Sequence, residues 1–403
     1  MLNPLHRKIV PLVLVLFFFS STTHGLTLED ISKAVKEGDI DLNFRYRYEF
    51  VEQDGAEKDA GSSTLKSRIT FKSSTIDGIS FGVEADNVSV IGSERYNSTD
   101  NGETQYPVVA DPEGFDLNQA YINFKNDALN VTGGRQRILL DDQRFVGGVG
   151  WRQNEQTYDA LRAQISPSTS ISAQYAYVWN VNRIFGPEDG AQPSDWRGSS
   201  HFLNVDFAVT EQHKLRGFAY LLDFDNDNGV PNSTETFGVA YSGTFGKFKL
   251  SAAVARQSDY GDSPLDFDAN YYSVATSFAL DPVTLTAGYE VLGSDDGTAA
   301  FRTPLATLHK FQGWADKFLG TPNDGIKDLY FGVSGKLGPI KLAATWHDFK
   351  SDENGSDYGS ELDLVATYPV TRKTLVQLKY ANYRADDFST DTTKVWLTLA
   401  VKF

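Results

Sequence analysis

Residues 39–51 read D-I-D-L-N-F-R-Y-R-Y-E-F-V. Ile40, Leu42, Phe44, Tyr46, Tyr48 and Phe50 fall on one parity. Asp41, Asn43, Arg45, Arg47 and Glu49 fall on the other. Successive side chains of a β-strand point to opposite faces, so one face is apolar and aromatic and the other is charged. In a soluble sandwich the apolar face would meet a second sheet. In a membrane barrel it would meet lipid, and the charged face would line a wet lumen.

The rest of the chain decides between these. Period-2 segments recur at 65–72, 79–90, 116–125, 129–138, 156–165, 170–181 and onward to 393–403. They number about 18, each near the ~9–11 residues that a tilted membrane strand requires. Short turns such as 73–78, 126–128 and 166–169 alternate with longer polar loops such as 91–115, 139–151, 182–200 and 293–326. Every proline beyond the leader falls in a proposed turn or loop, as residues that cannot donate to a ladder should. Ile171, Ala173, Tyr175, Tyr177, Trp179 and Val181 share the expected lipid-facing parity. The last strand places Val395, Leu397, Leu399, Val401 and Phe403 together. A sandwich or β-helix would need a second apolar layer or a short strict repeat, and neither is visible. The expected fold is therefore all-β: a transmembrane antiparallel β-barrel over residues 39–403, with short periplasmic turns and long outer loops.

Residues 1–25 read as a secretory signal, with Arg7 and Lys8 before the apolar run 9–19 and small residues at Thr23 and Gly25. Thr27-Leu28-Glu29-Asp30 resembles a capping box and predicts a short periplasmic helix within 26–38. The chain has 403 residues, a formal net charge of -16 and no cysteine. Disulfide frameworks, thiolate metal sites and cysteine nucleophiles are thereby excluded. An acidic secreted chain lacks the basic footprint of a nucleic-acid binder. Outer-membrane lipid and lipopolysaccharide are the expected partners, and no cofactor is expected.

The least generic stretch is 134–162, GRQRILLDDQRFVGGVGWRQNEQTYDALR. Its GRQ strand, its loop with arginine, glycine and Trp151, and its T-Y-D-A-L-R strand resemble the alginate-export family of outer-membrane barrels. That resemblance implies an 18-stranded barrel in the bacterial outer membrane with an arginine-lined, anion-favouring pore. It does not imply alginate itself. Two transport readings stay open: a porin passing small polar or anionic solutes, and an export channel for an anionic polysaccharide such as alginate, which would need a periplasmic delivery partner. An enzymatic or purely structural barrel is the alternative of a different class.

Strict alternation puts Arg135 and Arg137 on the parity of Leu129 and Val131, toward lipid, where a midplane arginine costs about 2–4 kcal/mol. The pair Gly133-Gly134 suggests a bulge that turns both inward. The other reading places them near the outer rim. Arg45, Arg47, Lys66, Arg68 and Arg162 read as lumen-facing, and Arg144 and Arg152 as loop residues over the pore. With Arg135 and Arg137 they are the candidate selectivity residues. Asp159 is expected at the rim, paired with a loop arginine. Acids Asp41, Glu49, Glu84, Asp86, Asp206, Glu290 and Asp363 share the lumen parity, so wall salt bridges are the competing account of the charges.

The resemblance to outer-membrane porins implies that loop 139–151, the third long outer loop, folds inward and narrows the lumen. In 293–326, Leu305, Leu308, Phe311, Trp314, Ala315 and Phe318 recur at helical spacing, which predicts an amphipathic helix either plugging the pore or resting on its rim. Asp223, Asp225, Asp227 and Gly229 suggest an acidic calcium loop, but the glycine is one place late for an EF-hand, and a solvated loop is the default. Enzyme signals are thin: His201 beside Ser199 and Ser200 is the nearest, without the third partner a triad requires.

Overall fold

A computed structural model describes residues 27–403; the expected leader, 1–25, lies outside them. Thr27 caps helix α1 (Leu28–Lys36): its hydroxyl accepts from the Asp30 N–H, and the Asp30 carboxylate accepts from the Thr27 N–H at 3.0 Å. This reciprocal pair satisfies two donors that the first helical turn leaves open.

The strands then follow in chain order. They are β1 (Asp39–Gln53), β2 (Ala60–Lys72), β3 (Ile79–Val90), β4 (Gly114–Lys125), β5 (Leu129–Gln136) and β6 (Thr157–Ile165). Next come β7 (Ile171–Asn182), β8 (Asp195–Thr210), β9 (His213–Leu222), β10 (Thr234–Phe245), β11 (Phe248–Asp259), β12 (Asp268–Ala279) and β13 (Val283–Leu292). A two-residue ladder, β14 (Ser294–Asp295) with β15 (Ala299–Ala300), sits in the longest loop. The last are β16 (Ile326–Leu337), β17 (Ile340–Lys350), β18 (Asp357–Pro369), β19 (Thr374–Ala385) and β20 (Thr392–Lys402). All but β14 and β15 join one 18-stranded antiparallel sheet. β1 pairs with β20 from Asn43 opposite Lys402 to Gln53 opposite Thr392, which closes the sheet into a barrel without edges.

Alternation sets the two faces. On β1, Ile40 is 64% exposed while Arg47 and Glu49 are 2% and 0% exposed. Ile69, Val83, Leu203, Val239, Val274, Leu342 and Leu397 are likewise exposed on the outside. An apolar band turned outward around a charged interior is the pattern lipid selects.

Register shifts fall at Glu84/Ala85, Asp159/Ala160, Val178/Asn180, Ala208/Thr210 and Phe349/Lys350. The third reverses one expectation: beyond it Val181 faces inward and is buried, rather than facing lipid. The bulge expected at Gly133-Gly134 does not exist, because the register of β5 with β4 and β6 is unbroken there. Gly134 serves another purpose. Its φ is +115°, and a Cβ would collide with the Ala120 carbonyl of β4.

Two long outer loops fold into the barrel. Residues 137–156 and 301–318 meet through a parallel bridge between Val146 and Leu305. Gly147 N–H donates to the Leu305 carbonyl at 2.8 Å, and Thr307 N–H donates to the Gln143 carbonyl at 3.0 Å. Gly147 permits this approach, since a Cβ would strike Thr307. The longer loop thus enters the pore, but not as the expected amphipathic helix: it holds only the single turn Leu308–Lys310. Leu305, Ala315 and Phe318 are buried by neighbours on several sides, so their spacing does not mark one helical face.

Candidate functional site

The second half of loop 137–156 lies against β1–β3. Arg45 donates from Nε to the Gln153 side chain at 2.9 Å and from Nη1 to the Gly150 carbonyl at 2.9 Å, and it also reaches the Arg152 carbonyl. Arg47 donates to the Trp151 carbonyl at 2.6 Å and stacks on the Trp151 ring. These two wall arginines hold loop backbone. Beside them, Glu155 accepts from Arg68 at 2.9 Å and from Arg137 at 2.6 Å, with Lys66 at 3.7 Å. Arg68 also pairs with Asp86, and Arg137 with Glu84. Lys66, Arg68 and Arg137 hold the Glu155 carboxyl far below the usual carboxylate range, overriding the opposing effect of burial. Arg152 bridges Glu49 at 3.0 Å and Asp316 at 3.1 Å.

The first half of the loop meets a different wall. Phe145 sits among Phe218, Tyr271, Tyr220 and Phe301, with ring centroids 5.0, 5.3, 5.8 and 6.0 Å away. Phe218, Tyr220 and Tyr271 lie on the inner face of β9 and β12, so the lumen wall here is aromatic rather than charged. Arg144 is buried, paired with Glu290 at 2.7 Å and donating to Thr303 and Gln312.

The two inward loops and the wall converge on Trp151. His309 stacks on it at 4.5 Å, and Trp396 of β20 meets it edge-on. His309 Nδ1 bonds Asp316 at 2.7 Å, and its Nε2 lies 2.6 Å from the Lys379 ammonium of β19. The carboxylate can only accept and the ammonium can only donate, so Nδ1 carries the proton and Nε2 the lone pair. Lys379 lies 3.5 Å from the Trp314 ring and 4.0 Å from Trp151, within cation–π range. Burial drives the His309 pKa well below its ordinary value. Asp316, which also holds Lys394 at 2.8 Å, is drawn well below its own by His309, Lys394 and Arg152 despite burial.

Arg135 and Arg137 therefore part company. Arg137, just past β5, turns inward. Arg135 stands opposite Ala120 and Asp159, on the face of Ile122 and Leu161, and so outside the lumen. It bonds Asp159 at 2.8 and 3.2 Å. Asp159 thus pairs with a strand arginine rather than a loop arginine. Arg162 does face the lumen, opposite Thr132 and Ala176, and its buried Nε has no hydrogen-bond partner. Among the described residues, no cluster of three acidic or histidine side chains could hold a metal, the acidic stretch 223–229 included.

Above the interlocked loops opens a cavity of about 960 Å³. Its charged lining comprises Arg152, Arg183, Lys317 and Lys394 against Glu57 and Asp316, which leaves the cations in excess. Arg183 lies over the rings of Trp196 and Phe185 and donates to the Pro193 carbonyl; burial brings it down to about 10. Lys317 donates to Gln53 and Thr392, and burial followed by Lys394 brings it down to about 8. Neither Arg183, Lys317 nor Lys379 stood out in sequence, since each is an isolated cation in a polar loop or an alternating strand. A separate hollow of about 580 Å³, between Val205, Gly217, Val239 and Val254, opens on the outer, lipid-facing wall.

Residues 37–274 match a family model described as alginate export. A comparison with curated protein sequences found no match. In structure the chain is similar to Acinetobacter baumannii OccAB4, with a TM-score of 0.70 at 14% identity, covering 91% of this chain and 98% of that one. It is also similar to Pseudomonas aeruginosa OccK3, with a TM-score of 0.69 at 12% identity, covering 93% and 97%. Pseudomonas aeruginosa OccD3 aligns with a TM-score of 0.69 at 14% identity, covering 92% of each chain.

Proposed function

Since this chain belongs to the alginate-export family of outer-membrane β-barrels, we propose that it is a porin, a channel rather than an enzyme, passing small polar and anionic solutes. One observation carries the sign of its preference: the cavity above the constriction holds four cations against two carboxylates. Arg183 and Lys317 donate to neutral oxygens, so their charge is left to act on a permeant. A narrow passage with low-dielectric walls concentrates such a field. Arg68, Arg137, Arg144 and Arg152 contribute less, because each faces a carboxylate. Arg45 and Arg47 position the loop, and Arg162 faces the lumen with its Nε unpartnered.

The test is a reversal potential in a planar bilayer under a salt gradient. The unmodified protein should prefer anions despite its net charge of -16. Arg183→Gln with Lys317→Gln should lower that preference. A cation-selective pore, or a reversal potential that both changes leave unmoved, refutes the reading. Export of an anionic polysaccharide through a periplasmic delivery partner is the second reading, favoured by the family match alone. The loops laced across the lumen favour small solutes over a polymer.

A further inference from the structure

We propose that α1 is a membrane-interface helix whose apolar stripe rests in the inner leaflet of the outer membrane beside the start of β1. Leu28, Ile31 and Val35 are 86%, 43% and 47% exposed. At 3.6 residues per turn they lie within an arc of roughly 60°, with Glu29, Lys33 and Lys36 on the far side. A helix with one aliphatic stripe and one charged face fits the boundary between headgroups and acyl chains.

The position of the helix selects that occupant. The Ala34 carbonyl accepts from Ser74 N–H at 3.1 Å, which ties the helix to the first periplasmic turn, and Ala34 itself is buried there. A Cβ on Gly38 would press within 2.7 Å of the Phe71 ring. Phe71 shares the outward parity of Ile69, so the chain leaves α1 over the outside of the wall rather than beneath the lumen. Ile40, Leu42, Phe44 and Phe403 extend the same apolar surface from that end of β1 and β20. The stripe is thus continuous with the lipid-facing band. Nine residues make a marginal helix and a weak membrane ligand alone. Tethering through Gly38 to an inserted barrel keeps it at the surface at high effective concentration.

The chain lacks cysteine, so single cysteines report cleanly. Ile31→Cys, Val35→Cys, Lys33→Cys and, as the wall reference, Ile69→Cys would each carry a polarity-sensitive fluorophore on the folded barrel in phospholipid vesicles. Brominated lipids should quench positions 31, 35 and 69 about twofold, while position 33 responds only to aqueous iodide. Iodide quenching of 31 and 35 equal to that of 33 overturns the proposal. So does shielding of 31 and 35 from both quenchers with self-quenching between labelled copies, which would make the stripe a contact between barrels. Iodide quenching of position 69 likewise overturns the proposal, because the stripe would then adjoin water rather than a lipid-facing band.

Discussion

Residues 150–155 and residues 144–146 belong to one inward loop, yet the wall holds them by unlike means. The first set sits in a lattice of charge: Arg45 and Arg47 on its carbonyls, and Lys66, Arg68 and Arg137 around Glu155. The second is held by aromatic rings around Phe145, with Arg144 sealed beside Glu290. Ion pairs depend on pH, and on salt where water reaches them; aromatic packing depends on shape and area. The charged half is thus expected to answer to pH and the aromatic half to steric change.

Glu155→Gln should do the most damage, because three buried or half-buried cations lose a shared carboxylate; removing one partner of such a site costs about 3 kcal/mol. Thermal loss of heat-modifiable gel mobility measures it. In the unmodified protein the folded Glu155 pKa is depressed. Its contribution is therefore complete above the unfolded carboxyl value of about 4.3 and fades only as pH falls below that. The variant should lack this acid-induced loss. If both proteins lose stability in parallel through that range, the charged half does not depend on Glu155.

Phe145→Ala should follow at about 2–3 kcal/mol, since the ring is only partly buried. Its effect should persist in acid, where that of Glu155→Gln fades. A larger and noisier single-channel conductance is expected as the loop loosens. An unchanged conductance would mean that the charged half holds the loop alone.

Lys379→Met probes the junction of the two halves. It removes the ammonium from the Trp151 and Trp314 rings and from His309, worth about 1–2 kcal/mol. His309 in the folded state has a pKa well below its ordinary value, so between that value and about 6.5 the unfolded chain binds a proton the folded one refuses. Acidification through that window should loosen the junction, raising conductance fluctuations. His309→Gln should flatten this pH response, and its survival there would assign the response to other groups.

Arg135→Gln should matter least, at most about 1 kcal/mol, as expected for a half-exposed pair with Asp159. Its reversal potential should match that of the unmodified protein, because Arg135 stands outside the lumen. A shift would mean that its field reaches the pore.

The strands were legible because lipid on one side and charge on the other force a period of two, and residues 39–51 carry it almost unmixed. The direction of Arg135 followed from parity alone; adding a bulge misread Gly133-Gly134, whose glycine answers a positive φ and a close approach by β4. The true bulge near Val178 sets Trp179 against Gly198 and Ser199 of β8, and β7 itself carries no glycine there to announce it, so Val181 was assigned to the wrong face. The inward loops were legible only in part. The contact of Val146 with Leu305 joins distant segments by backbone pairing, which leaves no mark on composition. Aromatic lumen residues such as Phe218 and Tyr220 were hidden because, in an alternating strand, an apolar residue on the polar parity reads as noise.

The seam between β1 and β20 has a consequence for how the molecule comes into being. Asn43 meets Lys402, and Phe44 meets the ring of Phe403 at 6.2 Å, so the first strand finds its second neighbour only in the last residues of the chain. Of all the pairings in the wall, this one closes the longest stretch of chain. Once it forms, the wall is a hoop with no gap. Both inward loops must by then be on the right side of it, like the works of a watch set in place before the case is shut.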